Sequence, residues 1–171
     1  MMDDSVSSDA SLEEAKVWLR HKALKDGARC PCCNQWTQVY KYSFHKGMGK
    51  ALAYICSAYE FGRVPEDGYF HVEHYLKELK VKFHGYHSKL KFWDMLEARI
   101  NTANNKKWSG YWKVNQCAFD FLAGRIEVPK YAYLFNNTCL KHSDETVSIH
   151  DVMKSPFDYS EMLKGLINEQ R

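Results

Sequence analysis

Six cysteines and eight histidines are the residues of this 171-residue chain most able to hold a metal or carry covalent chemistry. Three of the cysteines stand together in Cys30-Pro31-Cys32-Cys33. Cys30 and Cys33 have the C-x-x-C spacing of a zinc knuckle, and Pro31 pre-bends the turn between them. A tetrahedral zinc site takes four ligands. Cys139-Leu140-Lys141-His142 is a C-x-x-H in a second turn-rich segment, so the expected set is Cys30, Cys33, Cys139 and His142, holding one structural Zn2+. Cys32, His45 and Cys56 are spare candidates. The competing reading is a group of buried or merely reduced thiols. A redox dithiol is disfavoured, because no helix clearly begins at these cysteines to depress a thiol pKa. His71, His74, His84 and His87 also cluster, but no H-E-x-x-H pattern accompanies them, and surface or turn roles are the simpler account.

Charge gives a second candidate site. The net charge of +3 names no partner, but its distribution is uneven. The first fifteen residues carry Asp3, Asp4, Asp9, Glu13 and Glu14 and no Lys or Arg, whereas residues 77–113 hold nine Lys or Arg against Glu78, Asp94 and Glu97. Such segregation puts positive potential on residues 77–113. Within them His87, Ser88, Lys89 and Lys91, then Lys106, Lys107 and Trp108, have the side chains that meet phosphates and base edges. A solvated lysine face is the plainer alternative. The sequence contains no phosphate loop, nucleophile elbow, dinucleotide fingerprint or paired-carboxylate pattern, so no enzyme is expected.

The elements that must position these residues follow from periodicity. Ser11-Leu12-Glu13-Glu14 has the form of a capping box, opening a helix whose apolar side is Leu12, Ala15, Trp18, Leu19 and Leu24, with Gly27 as its stop. Trp36, Gln38, Tyr40 and Tyr42 alternate as on one face of a strand. Ser43 is the N-cap candidate for a core helix built on Phe44, Met48, Leu52, Ile55 and Tyr59 and ended by Gly62. After the turn Val64-Pro65-Glu66-Asp67-Gly68 come a short extended segment at Tyr69–Val72 and a helix from Glu73 to Leu79. Phe83, Tyr86, Leu90 and Trp93 then recur as one helical face, leaving His87, Ser88, Lys89 and Lys91 on the other. Met95–Ile100 and Tyr111–Val114 are strand-like runs around the polar loop NTANNKKWSG. Asn115 can cap a helix through Leu122. Residues 126–135 read as a strand, Asn136-Asn137 as a turn, and two short helices flank Pro156 near the C-terminus.

The order helix, helix, aromatic-rich helix, hairpin resembles the winged helix-turn-helix superfamily. LKFWDMLEARI and GYWKVNQCAFDFLAG carry the likeness, being similar to the L-x-x-W/L-G-L-I…Y-x-L-T-x-x-G pattern of MarR- and PadR-like regulators. Asp94 stands where that pattern has Gly. The layout of CPCC, winged segment and VPKYAYLFNN…SDETVSI also resembles small proteins of tailed bacteriophages, a likeness that brings no assigned activity. Together these imply an α+β fold. Residues 1–10 are a disordered acidic tail, 11–42 a helix and cysteine knuckle, 43–124 a winged helix-turn-helix, and 125–171 a hairpin with short helices. The implied function is duplex-DNA binding by a phage-type transcriptional regulator, with His87, Ser88, Lys89 and Lys91 on the recognition helix and Lys106, Lys107 and Trp108 on the wing. The alternative is a phage-encoded protein that docks a host protein through the same scaffold. The N-terminal helix packs on its own domain or on a second copy, which leaves a homodimer open. No apolar run approaches the roughly 20 residues of a membrane span, and the acidic N-terminus lacks signal-peptide character. A cytoplasmic location is the expectation.

Overall fold

The computed structural model describes residues 6–82, 85–100 and 108–169, without the side chains of Trp108, Ser109 and Glu169. Its elements begin with helix α1 (Leu12–Ala23) and strands β1 (Ala28–Arg29), β2 (Trp36–Thr37) and β3 (Tyr40–Ser43). Helix α2 (Lys46–Glu60), β4 (Phe70–His71), α3 (Val72–Glu78) and α4 (His87–Leu90) follow, and a 3-10 turn (Lys91–Trp93) leads to β5 (Leu96–Ile100) and β6 (Trp108–Val114). Then come α5 (Gln116–Leu122), β7 (Val128–Pro129), β8 (Tyr131–Phe135), β9 (Thr138–His142), β10 (Thr146–Val147), α6 (Ile149–Met153) and α7 (Tyr159–Glu169). The class is α+β. No helix among the described residues is long and apolar enough to cross a membrane.

Two compact units divide the chain. The first combines Met1–Tyr42 with Tyr133–Lys141, and the second combines Ser43–Ala132 with His142–Arg171. A boundary thus falls between Tyr42 and Ser43, but residues 125–171 do not stand alone: their β8–β9 hairpin is drawn into the sheet of order β3-β8-β9. Asn136 and Asn137, both with positive φ, form the hairpin's two-residue turn, as the Asn-Asn pair suggested.

In the first unit α1 starts with a complete capping box, Ser11 accepting from the Glu14 N–H while the Glu14 carboxylate accepts from the Ser11 N–H. β1 and β2 form an antiparallel hairpin, Ala28 opposite Thr37 and Arg29 opposite Trp36. The alternating run at Trp36–Tyr42 is two strands, because the Val39 N–H donates to Ala23 O (3.1 Å) and so leaves the ladder.

In the second unit α2 is the central element, with Met48, Gly49, Ala51, Leu52, Ala53, Ile55, Cys56, Ser57 and Ala58 all buried. Ser43 is not its cap. That residue ends β3, and His45 caps α2 by accepting the Gly47 N–H on Nδ1 (3.1 Å). The two early glycines serve close packing: a Cβ on Gly47 would lie 2.8 Å from Tyr86, and one on Gly49 3.1 Å from Val152. α3, α4 and the 3-10 turn supply Val72, Tyr75, Leu76, Leu90, Phe92 and Trp93 to this core. Ser57 and Tyr75 share a buried hydroxyl–hydroxyl bond of 2.6 Å, and Trp93 donates Nε1 to Pro129 O at 2.6 Å.

The second unit's main sheet has the order β4-β6-β5. Phe70 faces Trp112 across β4 and β6, and Leu96 faces Val114 across β5 and β6. These four side chains turn inward and are buried. Between Ala98 and Ile100 the register slips, and Gly110 with φ +79 takes the bulge on β6. A side chain there would meet His71 Nε2 at 2.7 Å, so only glycine fits both the backbone and the space.

Candidate functional site

The polar side of the third helix is smaller than its sequence pattern implies. α4 spans only His87–Leu90, following Gly85 with φ +69, and tightens directly into the 3-10 turn. Asp94 ends that turn in the left-handed region with φ +58, where the MarR- and PadR-like pattern has Gly. Asp tolerates this conformation better than most residues, and Gly is freer still. Asn115 Nδ2 and Cys117 Sγ both donate to Asp94 O, at 2.8 and 2.9 Å, and so tie the turn to the start of α5.

Of the four candidates on α4 and the 3-10 turn, three reach the surface. Lys89 and Lys91 are half-buried, with their ammonium groups 5.8 and 4.9 Å from the Phe92 ring centroid. Both charges thus lie within cation–π range of the same ring. Ser88 is half-buried too, and its hydroxyl donates to Gly85 O at 2.9 Å. His87 corrects the sequence expectation: at 6% exposure it belongs to the core rather than to an outer contact face. Its ring meets Trp112 edge-on at 5.7 Å, Nε2 lies 3.8 Å from Glu73 Oε1, and Nδ1 has no hydrogen-bond partner among the described residues. Burial holds its pKa below the ordinary histidine value, with Glu73 opposing and His71 adding to the shift. Lys106 and Lys107 lie outside the described residues, as does the Trp108 side chain.

The outer face of the hairpin carries an interlocked polar cluster that the sequence did not flag. The Arg99 guanidinium packs over Tyr69 (4.7 Å) and Tyr111 (5.7 Å) and pairs with Asp67, while the Tyr69 hydroxyl donates to Glu97. Alternate positions Glu97 and Arg99 on β5 were the available signal, since strand neighbours two apart share a face.

The cysteine knuckle is the connection of the β1–β2 hairpin. The Cys30 N–H donates to Gln35 O and the Asn34 N–H to Cys30 O, both at 2.8 Å. Asn34 turns the chain with φ +59, a conformation that Asn adopts more readily than most residues. The backbone N–H groups of Cys33 and Cys32, followed by the Cys33 thiol, bond to the Cys30 sulfur and hold its pKa below the ordinary thiol value. Cys30 is half-buried, and Cys32 and Cys33 are exposed.

The expected second pair does not form a knuckle. Cys139 and His142 lie in strand β9 rather than in a turn, and residues three apart on a strand point to opposite faces. The Cys139 thiol donates to Lys141 O at 3.4 Å, and burial raises its pKa. The His142 Nε2 donates to Phe92 O at 2.6 Å. Among the described residues, no group of three or more His, Cys, Asp or Glu is disposed to hold a metal. Cys30 with Cys33 is therefore the half of the predicted set that stands together.

Comparison with family models, with curated proteins and with solved structures finds no match to this chain.

Proposed function

We propose that residues 43–124 are a winged helix-turn-helix and that the protein binds duplex DNA as a phage-type transcriptional regulator. Lys89 of α4, Lys91 of the 3-10 turn that follows it and the wing residues Lys106, Lys107 and Trp108 meet the duplex. The observation that carries this reading is the sheet order β4-β6-β5, with α3 and α4 inserted between β4 and β5. This connectivity sets a short helix and a two-stranded hairpin on one small scaffold. The left-handed Asp94, at the point where the 3-10 turn after α4 gives way to β5, adds to it.

The chemistry on offer is mostly phosphate attraction. Lysine is a point charge that suits a backbone phosphate, and α4 has no Arg, Asn or Gln for bidentate base reading. Affinity then exceeds sequence discrimination and falls steeply with salt. A mixed duplex titrated across a salt series tests this. The native chain should bind at low salt, and Lys89→Glu/Lys91→Glu should weaken binding to all sequences alike. The log–log salt slope should fall by roughly 0.9 for each phosphate that is no longer neutralised. No binding at low salt, or no effect of the pair, refutes the reading.

A second reading, docking of a host protein, rests on Ile100 and Tyr111 of the hairpin, of which Ile100 is 78% exposed. An Ile100→Asp variant that keeps DNA binding but loses a host function would favour it.

A further inference from the structure

The knuckle holds half of a metal site. Cys30 and Cys33 line one groove of about 340 Å³ with Leu19, Trp36 and Tyr40, and the hairpin beneath them is fixed by its own backbone bonds. A thiolate-preferring tetrahedral cation such as zinc requires four ligands. Within one chain, the described residues gather no third or fourth partner for this pair.

We propose that the completing pair comes from a second copy, so that Cys30 and Cys33 of two chains ligate one zinc ion on a two-fold axis. A two-fold interface presents the same patch from each copy, which turns two cysteines per chain into the four sulfurs that a closed structural site needs. As the ion enters, each of the four thiols gives its proton to solvent, so uptake strengthens with rising pH. The Cys32 and Cys33 N–H groups directed at the Cys30 sulfur supply the outer hydrogen bonds that stabilise a bound thiolate.

The surroundings suit a self-complementary contact. Trp36 and Tyr40, at the groove, are 50% and 46% exposed. Leu12, at 58% exposure, stands seven residues before Leu19, on the same helical stripe that reaches the groove. Apolar surface of this kind, next to a metal that fixes the register, is covered when two copies meet.

The full chain, stripped with a chelator under reducing conditions, should be a monomer by light scattering. Its mass should double as zinc reaches about one ion per two chains. Cobalt in place of zinc should give the charge-transfer and d–d bands of a four-sulfur tetrahedral site. Cys30→Ser or Cys33→Ser should abolish both dimer and bands, while Cys32→Ser and Cys139→Ser leave both intact. Should either serine variant fail to fold, the metal stoichiometry and cobalt spectrum of the native chain decide alone. One zinc per chain on a monomer, no zinc uptake, or a dimer that survives chelation would overturn the proposal. None of these readouts involves DNA, so they succeed or fail independently of the winged-helix reading.

Discussion

His87 shows how one residue's position can invert its expected role. On a wheel of 100° per residue it lies about 60° from Leu90, inside the arc that a core covers, so its polarity misleads where its phase does not. Because burial depresses its pKa, the unfolded chain takes up a proton near pH 6.5 that the folded chain still refuses. The stability tied to neutral His87 is therefore complete above about pH 6.5 and is lost as pH falls from there through the lower folded value. Burial shifts His45 in the same direction, so the comparison that isolates His87 is between variants. Urea unfolding at about pH 7.5 and pH 5.5 should show a larger loss for the native chain than for His87→Leu. Equal losses would contradict the assignment. The C-x-x-C spacing made the turn shared by Cys30 and Cys33 legible. The turn at Asn34 and the opposed directions of Cys139 and His142 depend on backbone conformation, which residue types alone do not report.

At the scale of elements, the α3–α4–hairpin passage turns on Asp94. A left-handed residue there redirects the chain from the 3-10 turn into β5, and Asn115 and Cys117 hold its carbonyl. Asp94→Gly should change stability by less than about 1 kcal/mol, since the conformation suits glycine. Asp94→Val should cost about 1–3 kcal/mol, because a β-branched side chain is strained at positive φ. Thermal or urea unfolding of the two variants measures the difference, and equal effects would show that the turn is not under this constraint. Helices α1, α2 and α5 were legible because each repeats its apolar spacing or carries a cap signal. β1 was not, since two residues display no period, whereas β4 falls within the extended segment read at Tyr69–Val72 and β7 within the strand read at 126–135. The third helix is shorter than its apolar spacing implies. That spacing begins at Phe83, which lies outside the described residues, and it does not register the 3-10 tightening after Leu90.

For the molecule as a whole, the division into two units places the two candidate sites on separate parts of the chain: the knuckle in the first and α4 with the hairpin in the second. Local patterns carry no sign of the return of Tyr133–Lys141 to the first unit, because strand pairing over some ninety residues leaves no mark in a local window. Contact of α4 and the proposed wing with DNA is checked by nitrogen–proton spectra of the labelled chain, recorded while a mixed duplex is added at low salt. Shifts should concentrate at Ser88, Lys89, Lys91 and the residues joining β5 to β6, and added salt should reverse them. Unchanged spectra, or shifts confined to the cysteine knuckle and α1, would contradict the claim.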